Sequence, residues 1–354
     1  MSDNDIKKPW VSFCMSTYNR PGLLKTTLET IAKQTFNSFE VIISDNDPGK
    51  SAEIIVGNMN DQRFRYFCNS ENLGMIKSFN KSIERAGADH IIMITDDDPV
   101  YPHMLETLHD LFIAHPGYGV YHGACDVIYD TLEMAESCRG KLGVNSCLAD
   151  FPHGHVRTYT SAQFPLAFFR NEVSNYLLWS VCIVRKKILL EIGGVPDYGT
   201  PFMGDLAFTV LTSSQEGMVF INTSLGAQVV HGKNFGYMQN DNYAGYYRTA
   251  GGFHEWVSAR LSKRNDWPVI KLQMEKFIGR WMVGYGLSLR KYLNKNNESI
   301  KALDGILKKI FRISYISNWR WKYYISAYFP HLFEYLLKMK KIFFSKPATA
   351  KNVG

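Results

Sequence analysis

Over the first third of the chain, short apolar runs alternate with amphipathic stretches. Val11, Phe13 and Met15 recur with the period of a strand; Pro21 then opens a stretch with Leu23, Leu24, Leu28 and Ile31 at helical spacing. Residues 39–44 read as a second strand, closed by the turn-forming run Asp45-Asn46-Asp47-Pro48-Gly49. A helix is predicted over 51–59, a strand over 63–68 and a helix over 75–86 with Ile76, Phe79 and Ile83 on one face. Ile91-Ile92-Met93-Ile94 reads as a buried strand that runs through Thr95 straight into Asp96, Asp97 and Asp98. A helix over 101–115 and a strand over 119–129 follow. Strands and helices alternating at this spacing predict an α/β fold with a doubly wound, mainly parallel sheet. Right-handed crossovers bring the ends of the first, second and fourth strands to one sheet edge, where such folds bind ligands.

Beyond residue 130 the pattern changes. Residues 130–160 carry no clean period and include Pro152-His153-Gly154-His155, read as a mobile loop. A buried strand over 179–184, a short helix over 185–192, a loop from Gly193 to Asp197 and a helix over 206–213 come next. Ala227 to Val230 forms a strand leading into His231-Gly232-Lys233-Asn234. The remainder is helical and aromatic: Met274, Phe277, Ile278, Trp281 and Tyr285 form one stripe, and Leu303, Ile306, Leu307 and Ile310 another. The expected organisation is a tail at 1–8, a catalytic body at 9–235 split near 125, a helical region at 236–346 and a disordered tail at 347–354.

Composition narrows the class. Apolar residues make up 45% and charged residues 21%, which excludes an intrinsically disordered chain. The first residues lack the basic start and apolar core of a signal peptide, and no apolar run is long enough to span a bilayer. The six cysteines are scattered without a Cys-x-x-Cys pair, which reads as reduced cysteines in a cytoplasmic protein. The net charge of +7 is uneven: residues 301–354 hold eleven Lys or Arg and two acids, leaving the rest slightly acidic. Basic helices with Trp and Tyr over 315–346 suit a peripheral contact with the inner face of the membrane, or an oligomer interface. Nucleic acid is a poor partner, because the basic residues sit on helices with bulky apolar faces and no recognition motif is present.

The acidic run carries the chemistry. In an extended segment Asp96 and Asp98 point to one side and Asp97 to the other. Two hard oxygen ligands on one side suit Mg²⁺ or Mn²⁺ on a diphosphate; the alternative is a solvated acidic turn. The topology adds Thr17-Tyr18-Asn19-Arg20 and Asp45-Asn46-Asp47 to the same edge.

Four stretches in order, Met15-Ser16-Thr17-Tyr18-Asn19-Arg20-Pro21, Val41-Ile42-Ile43-Ser44-Asp45-Asn46, Asn72-Leu73-Gly74 with Asn80, and Ile94-Thr95-Asp96-Asp97-Asp98, resemble the signatures of family 2 glycosyltransferases. The resemblance covers roughly residues 9–225. It implies the GT-A fold with a Rossmann-like nucleotide-binding half, here with a C-terminal helical, basic aromatic extension. It also implies inverting transfer from a nucleotide diphosphate sugar to a saccharide acceptor, with Mn²⁺ or Mg²⁺. Thr17 and Tyr18 would line the nucleotide pocket with Asn19 and Asn72 near them, and Asp45 would accept a hydrogen bond from the base. Asp96 would lie near ribose and metal, with Asp97 beside it, and Asp98 would hold the metal. All three being Asp, the register can slip by one. Arg20 or Lys77 would touch phosphate, the alternative being solvated cations. His231, at a strand exit with Gly232 behind it, is placed to reach the diphosphate or metal, a structural histidine being the alternative, and Lys233 to offset phosphate charge. Gly204-Asp205 matches the segment that carries the general base, so Asp205 is the candidate; a plain N-cap and Asp197 are its alternatives. A lipid-linked acceptor in surface polysaccharide or lipopolysaccharide assembly would suit the basic tail.

Two other classes remain. A sugar nucleotidyltransferase would carry a glycine-rich phosphate loop after the first strand, where this chain has Thr17-Tyr18-Asn19-Arg20-Pro21. A non-catalytic scaffold would keep nucleotide-sugar binding without turnover.

Overall fold

The computed structural model describes residues 8–138, 140–173, 177–200, 202–232, 234, 243–295, 297–332 and 335. The first part of the chain runs β1 (Val11–Thr17), α1 (Pro21–Ala32), β2 (Phe39–Asp45), α2 (Glu53–Asn58), β3 (Phe64–Cys68), α3 (Met75–Arg85), β4 (His90–Thr95), α4 (Met104–Ala114) and β5 (Val120–Tyr129). α5 (Leu132–Ser137), β6 (Gly143–Ser146), β7 (Val156–Tyr159) and α6 (Gln163–Arg170) follow. A 3₁₀ turn (Trp179–Val181) leads to β8 (Cys182–Arg185), α7 (Lys186–Glu191), α8 (Gly204–Glu216) and β9 (Met218–Val230). The helical extension comprises α9 (Tyr243–Leu261), α10 (Trp267–Lys295), α11 (Lys301–Ile310), α12 (Ser314–Ser317) and α13 (Arg320–Tyr328).

The strands form one sheet in the order β3-β2-β1-β4-β8-β5-β9-β7, with β6 also pairing β5. β1 and β2 are buried along their whole length, as strands covered on both faces must be, and they are apolar apart from small or paired polar residues. Thr17 pairs with Asp45, and Ser16 with Thr95. Tyr18, Asn46 and Asp96 therefore leave the sheet together at one edge, as the topology required.

The sheet is less parallel than its first half suggests. β8 runs antiparallel to both β4 and β5. The segment 179–184, read as one strand, begins as the 3₁₀ turn and pairs only from Cys182 onward. The loop around His153 and His155 is tied down. Gly154 N donates to Asn222 O at 3.0 Å, and Asn222 Nδ2 donates to Ala149 O at 3.1 Å and to Phe151 O.

Helices of the extension pack on the body. Phe277 of α10 lies 5.4 Å from Phe168 and 5.5 Å from Phe169 of α6, and Arg280 donates to Phe169 O. Gly279 permits close contact, since a Cβ there would sit 2.2 Å from Trp319 Nε1. Phe253 of α9 is fully buried against Phe169, a ring whose loss would cost about 3–5 kcal/mol. Of the basic aromatic segment expected over 315–346, residues 333, 334 and 336–346 lie outside the described residues.

Candidate active site

The acidic turn is held from both sides of the sheet. On one side, Thr27 of α1 donates to Asp96 O at 3.0 Å, and Gln34 bridges Tyr101 O at 2.8 Å and Leu105 N at 3.0 Å. On the other, β9 passes directly beneath. Ala227 N donates to Pro99 O at 2.9 Å and Tyr101 N to Leu225 O at 2.8 Å. Gly226 makes this possible, because a Cβ there would lie 2.8 Å from Pro99 O. Asp126 adds a clamp, accepting from Tyr101 Oη and Ser224 Oγ at 2.6 Å each. The strand so fixed delivers His231, just past its end, to the acidic turn.

The three carboxylates have different surroundings. Asp96 is fully buried; it accepts from Thr17 Oγ1 at 2.7 Å and from Arg20 through Nε at 3.2 Å and through Nη2. Asp97 Oδ2 is a point of convergence. Arg20 Nη1 reaches it at 2.9 Å, His231 Nε2 at 3.3 Å and Asn234 Nδ2 at 3.4 Å. Asp98 turns inward, accepting from Thr95 Oγ1 at 2.5 Å and Ser180 Oγ at 2.8 Å. Of the three, whose register the sequence leaves open, Asp97 is the one that meets His231. Burial, opposed by Arg20, lifts Asp96 to about 6. Burial and the neighbouring Asp97 charge lift Asp98 to about 7. Burial would also raise Asp97, but His231 and Arg20 outweigh it and hold Asp97 below the ordinary carboxylate range.

Arg20 thus serves as the cation of the turn, its planar fork spanning two carboxylates. Arg20→Ala is expected to destabilise the fold by about 2–4 kcal/mol, the scale for stranding a buried charge, reduced because Arg20 is partly exposed. Urea denaturation checks this, and Arg20→Lys should recover only part of the loss.

At the ends of β1 and β2, Tyr18 is 49% exposed and presents its ring to solvent. Asn19 takes a positive φ of 50°, and its N–H donates to Ser51 Oγ at 3.2 Å. Asp45, the residue expected to accept from the base, lies at the inner side of this edge. It is fully buried, and its oxygens accept from Asp47 N at 3.0 Å, Ala52 N at 3.1 Å and Tyr66 Oη at 2.9 Å. Asn46 joins this edge to the 72–74 loop, donating to Asn72 Oδ1 at 2.6 Å and accepting from Leu73 N at 2.9 Å. Asn72 and Lys77 are exposed. Lys77, Asp197 and Thr200 line a cavity of about 300 Å³ at the start of α3.

Asp205 stands in the first turn of α8 without capping it. Met203, at a φ of 59°, occupies the N-cap position, and Asp205 Oδ1 accepts from Leu206 N at 2.8 Å. Dense surrounding protein raises its pKa against the lowering effect of the Leu206 N–H. One turn on, Phe208 packs 5.9 Å from Trp179, the neighbour of Ser180. The start of α8 is thereby placed against the segment that supports Asp98. Asp197 is exposed, and its Oδ1 accepts from Gly199 N at 3.2 Å. Asn80 pins this loop to α3, accepting from Val195 N at 2.8 Å; a Cβ on Gly194 would fall 2.4 Å from its Oδ1. Lys233 lies outside the described residues.

Sequence reading missed Tyr66, Ser180 and Asn234. Tyr66 was visible only as a strand residue, and nothing marked Ser180. The His-Gly-x-Asn spacing was a usable signal for Asn234, whose Oδ1 accepts from His231 N at 2.6 Å.

An α/β half with parallel β1 to β4, an acidic turn at the exit of β4 and a C-terminal helical region make up a fold of the GT-A type. Residues 12–155 match the model of glycosyl transferase family 2. It is 37% identical over 106 residues to an uncharacterised glycosyltransferase of Methanocaldococcus jannaschii, covering 29% of this chain and 37% of that one. It is 29% identical over 120 residues to a Campylobacter jejuni GalNAc(5)-diNAcBac-PP-undecaprenol beta-1,3-glucosyltransferase, covering 33% of this chain and 38% of that one. The chain thus spans less than two fifths of the length of these curated relatives. Among solved structures, S. aureus TarS superposes with a TM-score of 0.57 at 16% identity, over 90% of this chain and 54% of that one. TarS 1–349 in complex with UDP-GlcNAc gives 0.51 at 14% identity, over 77% of this chain and 80% of that one. Both establish the shared fold.

Proposed function

We propose that this protein transfers a sugar from a nucleotide diphosphate sugar to a saccharide hydroxyl, with inversion at the anomeric carbon and with a divalent metal ion. The convergence of Arg20, His231 and Asn234 on Asp97 carries the reading. The Asp97 carboxylate is a donor that suits Mn²⁺ or Mg²⁺, and the His231 imidazole 3.3 Å from it favours Mn²⁺ of the two. Among the described residues no three His, Cys, Asp or Glu side chains group to hold an ion. The protein would supply Asp97 and His231, and diphosphate oxygens and water would complete the shell. When bound, the ion would supply Lewis-acid neutralisation of the diphosphate leaving group.

The chain's own groups do the rest. The exposed Tyr18 ring packs on the base, while Asp45 positions the pocket wall from within through Tyr66 and Ala52. Thr17 and Arg20 hold Asp96 at the ribose side. Asp205 accepts the proton of the acceptor hydroxyl as that oxygen attacks the face opposite the diphosphate. Inversion follows, as in inverting glycoside hydrolysis with the hydroxyl in place of water.

The extension supports a lipid-linked acceptor at a membrane surface. Trp321, Phe329 and Leu332 are exposed beside Arg320 and Lys322, an apolar and basic mixture suited to anionic headgroups. Among the described residues no helix is long and apolar enough to cross a membrane.

A donor screen tests the reading. Purified protein with Mn²⁺ or Mg²⁺ is incubated with a panel of nucleotide diphosphate sugars, with and without lipid extract, and nucleoside diphosphate release is followed. Metal-dependent release from one donor, increased by the extract, is expected. Donor binding without any release would point instead to a scaffold.

A further inference from the structure

A cavity of about 580 Å³, within the usual range for small-molecule sites, opens between the 193–200 loop and α9. Asp197, Tyr198, Tyr247, Arg248, Glu255 and Trp256 line it. Its wall is built rather than incidental. Gly252 lets the Tyr198 ring lie directly on α9, since a Cβ there would come within 2.7 Å of that ring. Tyr198 Oη donates to Phe202 O at 2.6 Å, which fixes the ring from its far end. Tyr198 and Trp256 meet edge to face at 6.4 Å.

The charges in the cavity select its occupant. Arg260 is already committed: it covers the Trp256 ring at 3.8 Å and donates to Ile192 O at 2.5 Å and Trp256 O at 3.2 Å. Arg248, by contrast, makes one long bond, to Ala244 O at 3.4 Å, among the described residues. Asp197 and Glu255 form no ion pair among the described residues. One available guanidinium facing two carboxylates disfavours phosphate or a uronate. Planar hydrogen-bonding groups set among aromatic rings match the vicinal hydroxyls and C–H faces of neutral sugars.

The cavity also adjoins residues of the candidate site. Asp197 lines both this cavity and the smaller one that holds Lys77 and Thr200. Tyr198 is close enough to Asp205 for that carboxylate, after burial, to raise its phenol. We infer that the cavity between the 193–200 loop and α9 is a subsite for a neutral oligosaccharide, gripping acceptor sugars behind the one that reacts. This rests on the transferase reading for its purpose, but not for its binding chemistry.

Saturation-transfer NMR on the full chain tests it with neutral di- and trisaccharides of glucose, galactose, mannose and N-acetylglucosamine. A glucuronic-acid trisaccharide serves as the anionic control, with UDP and GDP measured in parallel. Tyr247→Ala and Arg248→Ala alter exposed side chains and leave the packing of α9 intact. At least one neutral saccharide should bind, weakened tenfold or more in both variants, with nucleotide binding unchanged. Absence of neutral saccharide binding, equal binding by the variants, or tighter binding of the anionic control would overturn the inference. Failure to bind any nucleotide would instead defeat the transferase reading, while the saccharide arm would still decide the cavity.

Discussion

Asp97→Asn is expected to lower sugar transfer by about a thousandfold, equivalent to about 4 kcal/mol of transition-state stabilisation. Asp98→Asn should stay within about tenfold of the parent protein. The difference follows from where the two carboxylates point. Asp97 Oδ2 is shared by Arg20 at 2.9 Å and His231 at 3.3 Å, so an amide there removes the charge on which both converge. Asp98 faces Thr95 and Ser180, and an amide oxygen still accepts from both hydroxyls. Titration of Mn²⁺ calorimetrically in the presence of nucleoside diphosphate, beside steady-state rates, separates the two. A loss confined to Asp98→Asn would place the ion on Asp98 and require the turn to rotate when donor binds.

That contrast also shows what the sequence could disclose. Strands β1 to β4 and the helices between them were legible, because continuous apolar strands and clear helical stripes admit one arrangement and right-handed crossovers fix their shared edge. The register of Asp96, Asp97 and Asp98 was not. Three identical side chains differ only in their partners, and those partners come from Arg20, Ser180 and His231, far away in the chain. The inward turn of Asp45 was hidden for the same reason, since Tyr66 belongs to the neighbouring strand. The antiparallel direction of β8 was not legible, because strand direction leaves no trace in a short apolar run. α9 was noted only as generally helical. Its Gly251-Gly252 pair lowers helix propensity, and the reason for Gly252, the Tyr198 ring against it, is tertiary.

Asp205→Asn should reduce kcat by about a thousandfold, within the range for a lost general base, while donor affinity is unchanged. Two further readouts distinguish a base from a residue that merely starts a helix. Burial raises the folded Asp205 carboxyl above its ordinary value, so the acid limb of kcat/KM should be displaced upward from the ordinary value of an aspartate. The variant should lose that limb. The same shift has a consequence for stability. A folded state with the higher pKa binds more protons between the unfolded and folded values, so Asp205 reduces stability as pH rises through that window. Replacing it by Asn removes the penalty, and the thermal midpoint at neutral pH should rise as activity falls. A residue needed only for the fold would move both in the same direction. Asp197→Asn provides the counterpart: Asp197 lines the saccharide cavity and is exposed, so its loss should raise acceptor KM and leave kcat and the acid limb in place. If Asp197→Asn abolishes the acid limb and Asp205→Asn does not, the proton passes to Asp197 and α8 only shapes the floor beneath it.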